Sequence, residues 1–241
     1  MKSILNRLSL IAFALALQGC FSASGFHKIA GSNVGFKNSN EIDYRVDKEV
    51  VTGELTVRLV SHRAENCENG RDYHLELNGA IGPDATRAVK LILDSLPKCF
   101  RTDASLRGSG TWVFMNSGGG RLVDGIELGR LFRERRIPVS LVKGQICASS
   151  CAVAFIGGSQ REMEPNTELF FHSPYRFKFN GGISCVDRND IRILELYFND
   201  MLGNKNGEYA FRRMMDYCST SDGWVLNKDA ARTFGLLGFA N

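Results

Sequence analysis

The sequence lacks low-complexity tracts, a strong charge of either sign, and an N-terminal apolar run long enough to cross a bilayer. Its formal net charge is +4 over 241 residues, which is too small an excess to indicate nucleic acid as a partner. The apolar run from Leu8 to Leu17 is about half as long as a spanning helix, which needs roughly 20 residues. The chain length and its 44% hydrophobic content suffice for one substantial α/β core.

The first residues have the order of a secretion signal. Lys2 and Arg7 precede the apolar run, and Leu-Gln-Gly-Cys follows it at residues 17–20. This segment resembles the cleavage site of bacterial lipoproteins, which implies that residues 1–19 are removed and that Cys20 carries lipid. An ordinary secretory signal or a retained anchor helix is the alternative.

Any of these signals takes the chain out of the cytoplasm. We therefore expect an exported, periplasmic protein that is anchored to a membrane through an N-terminal lipid. Phe21 and Ser22 lack the aspartate that often retains lipoproteins at the inner membrane, which favours the outer membrane. Residues 20–48, rich in Ser, Gly and Asn, predict a flexible tether, and residues 49–241 form the predicted folded domain.

Six cysteines remain beyond Cys20. An even number in an exported chain predicts disulfide bonds, and six cysteines allow fifteen pairings, which the sequence leaves open. Free, redox-sensitive thiols are the alternative. A metal site is not expected, because two of the cysteines are spaced four apart and no second pair or nearby histidine completes a ligand set. The six residues are Cys67, Cys99, Cys147, Cys151, Cys185 and Cys218.

Strand and helix patterns alternate from about residue 50. Their alternation implies right-handed βαβ units with largely parallel strands, in which functional loops lie at the carboxyl ends of the strands. Apolar residues at helical spacing predict helices at 83–96 and 121–136. Residues rich in β-formers predict strands at 54–61, 73–79, 111–115, 137–142 and 168–174.

A glycine-rich turn, MNSGGGR at residues 115–121, joins a predicted strand to a predicted helix. Its glycines allow backbone N–H groups to face a ligand near a helix N-terminus. The run fits either an anion or oxyanion site or a tight turn that needs positive φ. It lacks the Lys-Ser/Thr pair of a phosphate-binding loop, so no nucleotide cofactor is expected.

Ser149 and Ser150 lie between Cys147 and Cys151, where a β-type pattern gives way to a helical one. A serine at such a junction either caps the helix or acts as a nucleophile beside the positive helix end. The residues alone leave both interpretations open.

Four segments, in this order, resemble the proteolytic subunit of the Clp protease, a serine peptidase of the crotonase-like superfold. They are MNSGGGRLVDGIELGRLF, ICASSCAVAFIGG, PNTELFFHSP and SDGWVLNKDAARTFGLLG, and the likeness extends over about residues 73–238. The resemblance implies an α/β fold of repeated β-β-α units, with largely parallel strands and the helices outside.

The resemblance also implies a Ser-His-Asp triad. Ser149 is then the nucleophile, His172 the general base and Asp222 the orienting acid. The backbone N–H groups of Gly119 and Ser150 are implied as the oxyanion hole.

Plainer interpretations exist for two of these residues. A hydrogen bond at a strand end also explains His172, and the Ser-Asp-Gly run around Asp222 also fits a turn, with Asp187, Asp190 and Asp216 as reserves. The chain departs from the family where Gly118 replaces a proline and Cys151 replaces a glycine.

We expect from this resemblance a periplasmic lipoprotein that hydrolyses peptide bonds in peptide or protein substrates, with no cofactor. Because an exported chain has no ATP supply, the ATPase partner of the family is not expected. A catalytically inactive binding or scaffold protein on the same fold is the first alternative, and an acyl-group enzyme that uses only the oxyanion hole is the second. The amphipathic segment 187–203 fits either a contact in a homo-oligomer or core packing.

Overall fold

The computed structural model describes residues 44–64, 70–96, 111–179 and 181–240, which all fall within one unit, residues 40–241. The predicted signal, Cys20, most of the tether, and Cys67 and Cys99 lie outside the described residues. The first strand begins at residue 45, so the last four residues of the predicted tether belong to a strand. No described helix has the length and apolarity needed to cross a membrane.

The strands assemble into three sheets. In chain order the strands are β1 (Arg45–Thr52), β2 (Leu55–Arg63), β3 (Arg71–Gly79), β4 (Trp112–Asn116), β5 (Val139–Leu141), β6 (Ile146–Ala148), β7 (Gln160–Met163), β8 (Glu168–Phe171), β9 (Tyr175–Phe177), β10 (Ile183–Cys185), β11 (Trp224–Leu226) and β12 (Gly238–Phe239).

The largest sheet has seven strands in the order β1-β2-β3-β4-β5-β7-β12. Its central strands β3, β4, β5 and β7 are parallel, and the strands at both flanks pair antiparallel. A second sheet has the order β11-β8-β6, and β9 and β10 form a separate hairpin. Parallel central strands require crossover connections, and helices supply them.

Helices pack on the sheets through apolar faces. For α1, the buried residues Ala85, Ala88, Val89 and Ile92 recur at helical spacing. The helices are α1 (Ala85–Leu93), α2 (Leu122–Glu134), α3 (Ser150–Phe155), α4 (Arg192–Leu202), α5 (Asn204–Met215) and α6 (Lys228–Thr233), with a 3₁₀ turn at Arg188–Ile191.

Helices α2 and α3 approach each other closely because α2 carries a glycine at the contact. A Cβ atom on Gly125 would lie 2.9 Å from the Cβ of Ser150, closer than packed carbon atoms tolerate. This contact fixes the start of α3 against α2.

The predicted α/β fold, with parallel central strands and helices outside the sheet, is confirmed. All seven predicted elements are present, with ends shifted by at most three residues. In segment 187–203, Leu194, Phe198, Met201 and Leu202 are buried in the core, whereas Leu196 is exposed. Core packing therefore explains most of that apolar stripe, and a homo-oligomer stays a prediction.

Candidate active site

The predicted nucleophile and base follow two neighbouring strands. Strands β6 and β8 are parallel, with Ala148 opposite Phe170, so Ser149 and His172 both leave the carboxyl edge of this sheet. The backbone N–H of Ser149 donates to the Phe170 carbonyl at 2.7 Å. The fold therefore brings two residues 23 positions apart to one edge.

Ser149 has an uncommon backbone conformation, with φ 55° and ψ −123°. Non-glycine residues at positive φ are uncommon and concentrate at functional sites. Ser149 occupies the N-cap position of α3 and its carbonyl accepts from the Val153 N–H at 3.1 Å, yet its side chain makes no capping hydrogen bond. The residue is half-buried and its hydroxyl does not cap the helix, which favours the second interpretation of this serine.

A disulfide bond brackets this turn. Cys147 at β6 bonds Cys151 in the first turn of α3, with a Cα–Cα distance of 5.1 Å, and both residues are fully buried. A second disulfide joins Cys185 to Cys218. The expectation of disulfide bonds is confirmed, and these pairings resolve what the sequence left open for four of the six cysteines.

Buried guanidinium groups hold the carboxyl end of α3. Arg161 donates to the carbonyls of Ile156 and Gly158 at 3.3 and 3.2 Å, and Arg133 donates to the Gly157 carbonyl at 3.2 Å. Cations complement the negative end of a helix. Burial lowers the pKa of Arg161 to about 10, which still leaves the group charged at neutral pH.

The glycine turn lies directly against Ser149. A Cβ atom on Gly119 would lie 2.6 Å from the Ser149 Cβ, and Gly119 has φ 106°, so both space and backbone conformation require glycine. A bridge between the end of β4 and β6, with the Ala148 N–H donating to the Ser117 carbonyl at 2.9 Å, fixes this contact.

The predicted oxyanion donors differ in their availability. The Ser150 N–H begins α3 and, among the described residues, it has no hydrogen-bond acceptor, as expected for the first turn of a helix. The Gly119 N–H already donates to the Ser117 hydroxyl at 3.1 Å. The Gly120 N–H makes no hydrogen bond to a described residue, so Gly120 joins Gly119 as a candidate donor. The sequence signal was the glycine run itself, which does not say which amide faces the serine.

His172 is held in one orientation by its neighbour. Its Nδ1 lies 2.9 Å from the Ser173 carbonyl oxygen, and because a carbonyl only accepts, Nδ1 carries the proton. Nε2 is then the basic nitrogen, as a general base requires. Burial lowers the pKa of His172, and the hydrogen bond to Ser173 partly opposes that shift.

The Asp222 carboxylate is engaged elsewhere. It is exposed, and its Oδ1 accepts the Gly223 N–H at 2.8 Å, while the Ser219 hydroxyl accepts the Asp222 N–H at 2.9 Å. Asp222 precedes β11, which pairs with β8, so it lies at the same sheet edge as His172. The two side chains form no hydrogen bond, and the triad role of Asp222 stays a prediction.

Two of the three reserve aspartates are also engaged with other groups. Asp187 accepts the Asn189 N–H at 2.8 Å, and Asp216 lies 3.4 Å from Arg213 and 3.8 Å from Arg188. Sequence reasoning missed the Ser173 carbonyl, which hydrogen-bonds to His172 Nδ1. Every residue has a backbone carbonyl, so the sequence does not mark this one.

Comparison with known proteins identifies a fold without a sequence family. No family model and no curated protein matches the chain. A serine-to-alanine mutant of the 1510-N membrane-bound stomatin-specific protease matches with a TM-score of 0.50 and 15% identity, over 67% of this chain and 75% of that chain. The chain has a Clp protease-like fold.

Two further solved structures are similar at lower scores. A lysine-to-alanine mutant of the same stomatin-specific protease, in complex with a substrate peptide, has a TM-score of 0.49 and 15% identity over 67% of this chain and 71% of that chain. An asparagine-to-aspartate mutant of ClpP1 from Listeria monocytogenes has a TM-score of 0.48 and 17% identity over 68% of this chain and 88% of that chain.

The rate of any reaction that uses His172 as a base should fall on acidification. Only the neutral imidazole accepts a proton, and burial lowers the His172 pKa, so we expect the half-maximal rate at a pH below the ordinary value of about 6.5. The measurement is the rate of Ser149 modification by a fluorophosphonate between pH 4.5 and 8. A midpoint above pH 7 would contradict the assignment.

Replacing Asp222 by asparagine should change that rate by less than about 10-fold, because the variant keeps the hydrogen bond between His172 Nδ1 and the Ser173 carbonyl. Where an aspartate orients the histidine, as in chymotrypsin-type enzymes, the same change lowers kcat about 10⁴-fold. Asp216→Asn, another exposed aspartate, is the matched control. A loss of about 10³-fold confined to Asp222→Asn would show that the carboxylate turns to His172 in the reactive state.

Proposed function

We propose that this chain is an exported serine peptidase in which Ser149 is the nucleophile and His172 the general base. The fold is of the serine-peptidase type, and it brings both residues to one sheet edge beside a glycine turn. The observation that carries the proposal is the state of Ser149. The residue has a positive φ and is half-buried, and its hydroxyl does not cap α3, the helix that begins at the next residue.

The reaction follows from the arrangement of these groups. His172 Nε2 takes the proton as Ser149 Oγ attacks the peptide carbonyl carbon, and the C–N bond breaks as the same proton passes to the leaving nitrogen. Water then attacks the acyl-enzyme, with His172 as base, and releases the carboxyl product. Apo active sites often hold these groups beyond hydrogen-bond distance, so the lack of a Ser149–His172 bond is compatible with this role.

The carbonyl oxygen gains negative charge during the attack. The unengaged Ser150 N–H at the start of α3 is suited to bind it, and the glycine turn supplies the second donor. If Gly119 is that donor, its N–H must leave the Ser117 hydroxyl. If Gly120 is the donor, no bond needs to break. The turn therefore supports the oxyanion role by either route.

Fluorophosphonate labelling of the purified mature protein tests the proposal. We expect an adduct on Ser149, located by peptide mass spectrometry, and a loss of labelling of about 10³-fold or more in Ser149→Ala and in His172→Ala. Ser150→Ala is the matched control, because it keeps the backbone N–H and removes a buried hydroxyl that has no hydrogen-bond partner among the described residues. Hydrolysis of a casein or peptide library should be lost in the same two variants.

Folded, oxidised protein without an adduct would favour the inactive binding protein on the same fold. An adduct on Ser150 would place the nucleophile one residue later and overturn the assignment.

We further propose that the enzyme is periplasmic and carries lipid on Cys20, preferentially at the outer membrane. The order of the N-terminal signal supports export, and two disulfide bonds suit an oxidising compartment. In a bacterial host, Cys20→Ala should abolish incorporation of labelled fatty acid and release the chain from the membrane fraction, whereas Cys20-containing protein remains there. Fatty-acid incorporation that survives Cys20→Ala would contradict the lipoprotein assignment.

A further inference from the structure

Ser149 lies in the middle of the shorter of the two disulfide-closed loops among the described residues. The Cys147–Cys151 disulfide joins the residue two positions before Ser149 to the residue two positions after it. The Cα atoms of these two cysteines lie 5.1 Å apart. Cys147 belongs to β6 and Cys151 to the first turn of α3. The bond therefore joins the two elements whose junction sets the Ser149 conformation.

The start of α3 needs such a restraint. Most helices gain stability at their first turn from a side chain that caps it. Ser149 stands at the capping position and does not cap. A serine whose hydroxyl attacks a substrate cannot at the same time accept the amide hydrogens of its own helix.

Other contacts hold the far end of α3. Arg161 and Arg133 bind the carbonyls that follow the helix, and the Tyr197 hydroxyl donates to the Val153 carbonyl at 2.8 Å. At the near end, the disulfide is the covalent restraint, and it lies beside the bond from the Ser149 N–H to Phe170. The two ends of the helix are thus fixed by different means.

We propose that the Cys147–Cys151 disulfide is a positioning element for Ser149, an inference that rests on the proposed function. It holds the turn in its reactive conformation, so the serine becomes fully reactive only when these two thiols are oxidised. In that step each thiol loses one proton and one electron as the S–S bond forms. The oxidant is a disulfide of an exported thiol oxidoreductase or glutathione disulfide, which accepts the two protons and two electrons and is reduced to two thiols.

Because this bond is buried, we expect the dependence of Ser149 reactivity on oxidation to act while the chain matures, when the bond forms. Both sulfur atoms are fully buried, so a reductant reaches them only when the turn opens. The chain would leave the cytoplasm with a poorly reactive serine and gain reactivity as it folds under oxidising conditions. Cys185–Cys218 differs, because Cys218 is exposed and Cys185 half-buried.

The second disulfide is a matched control with the opposite expected effects. A cross-link between residues 33 positions apart restricts the unfolded chain more than one between residues four positions apart. Removing Cys185–Cys218 should therefore lower Tm more than removing Cys147–Cys151. The second disulfide lies outside the Ser149 turn, but Cys185 pairs with Tyr175, whose ring centroid lies 5.4 Å from that of His172, so its removal acts on the His172 side and leaves the β6–α3 junction covalently closed.

The test compares Cys147→Ala/Cys151→Ala with Cys185→Ala/Cys218→Ala in the mature protein. We expect the first variant to keep its fold and lose labelling of Ser149 about 10- to 100-fold, since a small misplacement of a reacting group has effects of that size. The second variant should lose less labelling than the first and should melt at a lower temperature. Equal labelling of the two variants would overturn the inference.

A redox titration keeps the test decisive if the first variant fails to fold. The Cys185→Ala/Cys218→Ala protein is equilibrated in glutathione buffers after brief unfolding, and mass spectrometry follows the Cys147–Cys151 pair. The labelling rate should rise in proportion to the oxidised fraction of that pair, and a rate independent of it overturns the inference. Oxidised wild type that does not label Ser149 defeats the proposed function itself, which distinguishes the two failures.

Discussion

The backbone conformation of Ser149 is the constraint on which the site depends. A non-glycine residue in such a sparsely populated region costs about 1–3 kcal/mol and persists only where its surroundings determine it. Three neighbours do so here through the main chain. Strand β8 accepts the Ser149 N–H, the end of β4 accepts the Ala148 N–H, and Val153 of α3 donates to the Ser149 carbonyl. The strained turn is therefore anchored to two sheets and a helix.

The same constraint explains which residues surround the turn. Gly119 and Gly125 are glycines because a Cβ atom at either position would collide with Ser149 or Ser150. Their absence of side chains lets the glycine turn and α2 approach the serine from two directions. Close approach has a chemical consequence, since it leaves room for backbone amides beside the hydroxyl and excludes side chains that would compete for it.

The sequence predicted elements whose pattern is local and missed those that depend on the whole fold. Helices α1 and α2 and strands β2, β3 and β4 have clear periodicity, and they lie at the positions predicted from the sequence. Strand β1 is exposed along most of its length and lacks a regular alternation of apolar and polar residues, so the predicted tether extended into it. Helix α5 is polar overall and buries Gly207 and Ala210 beside Phe211 and Met214, so few large apolar residues mark it in the sequence.

The site was predictable to a similar degree. The resemblance brought Ser149, His172 and the glycine turn together, and the fold has Ser149 and His172 at one sheet edge with the glycine turn against Ser149. The resemblance could not predict the hydrogen-bond partners of these groups, because such partners depend on ångström-scale geometry. The Ser173 carbonyl at His172, the Ser117 hydroxyl at Gly119 and the Gly223 amide at Asp222 leave no mark on sequence.

Orientation of His172 by a carbonyl has a different effect from orientation by a carboxylate. Both fix the proton on Nδ1 and leave Nε2 basic. A carboxylate also stabilises the imidazolium that forms as the serine attacks, whereas a neutral carbonyl does so only weakly. Burial opposes the same charge and lowers the His172 pKa. In the proposed reaction His172 is ready to accept a proton at neutral pH, and an Asp222 carboxylate turned towards it would stabilise that proton more than the Ser173 carbonyl does.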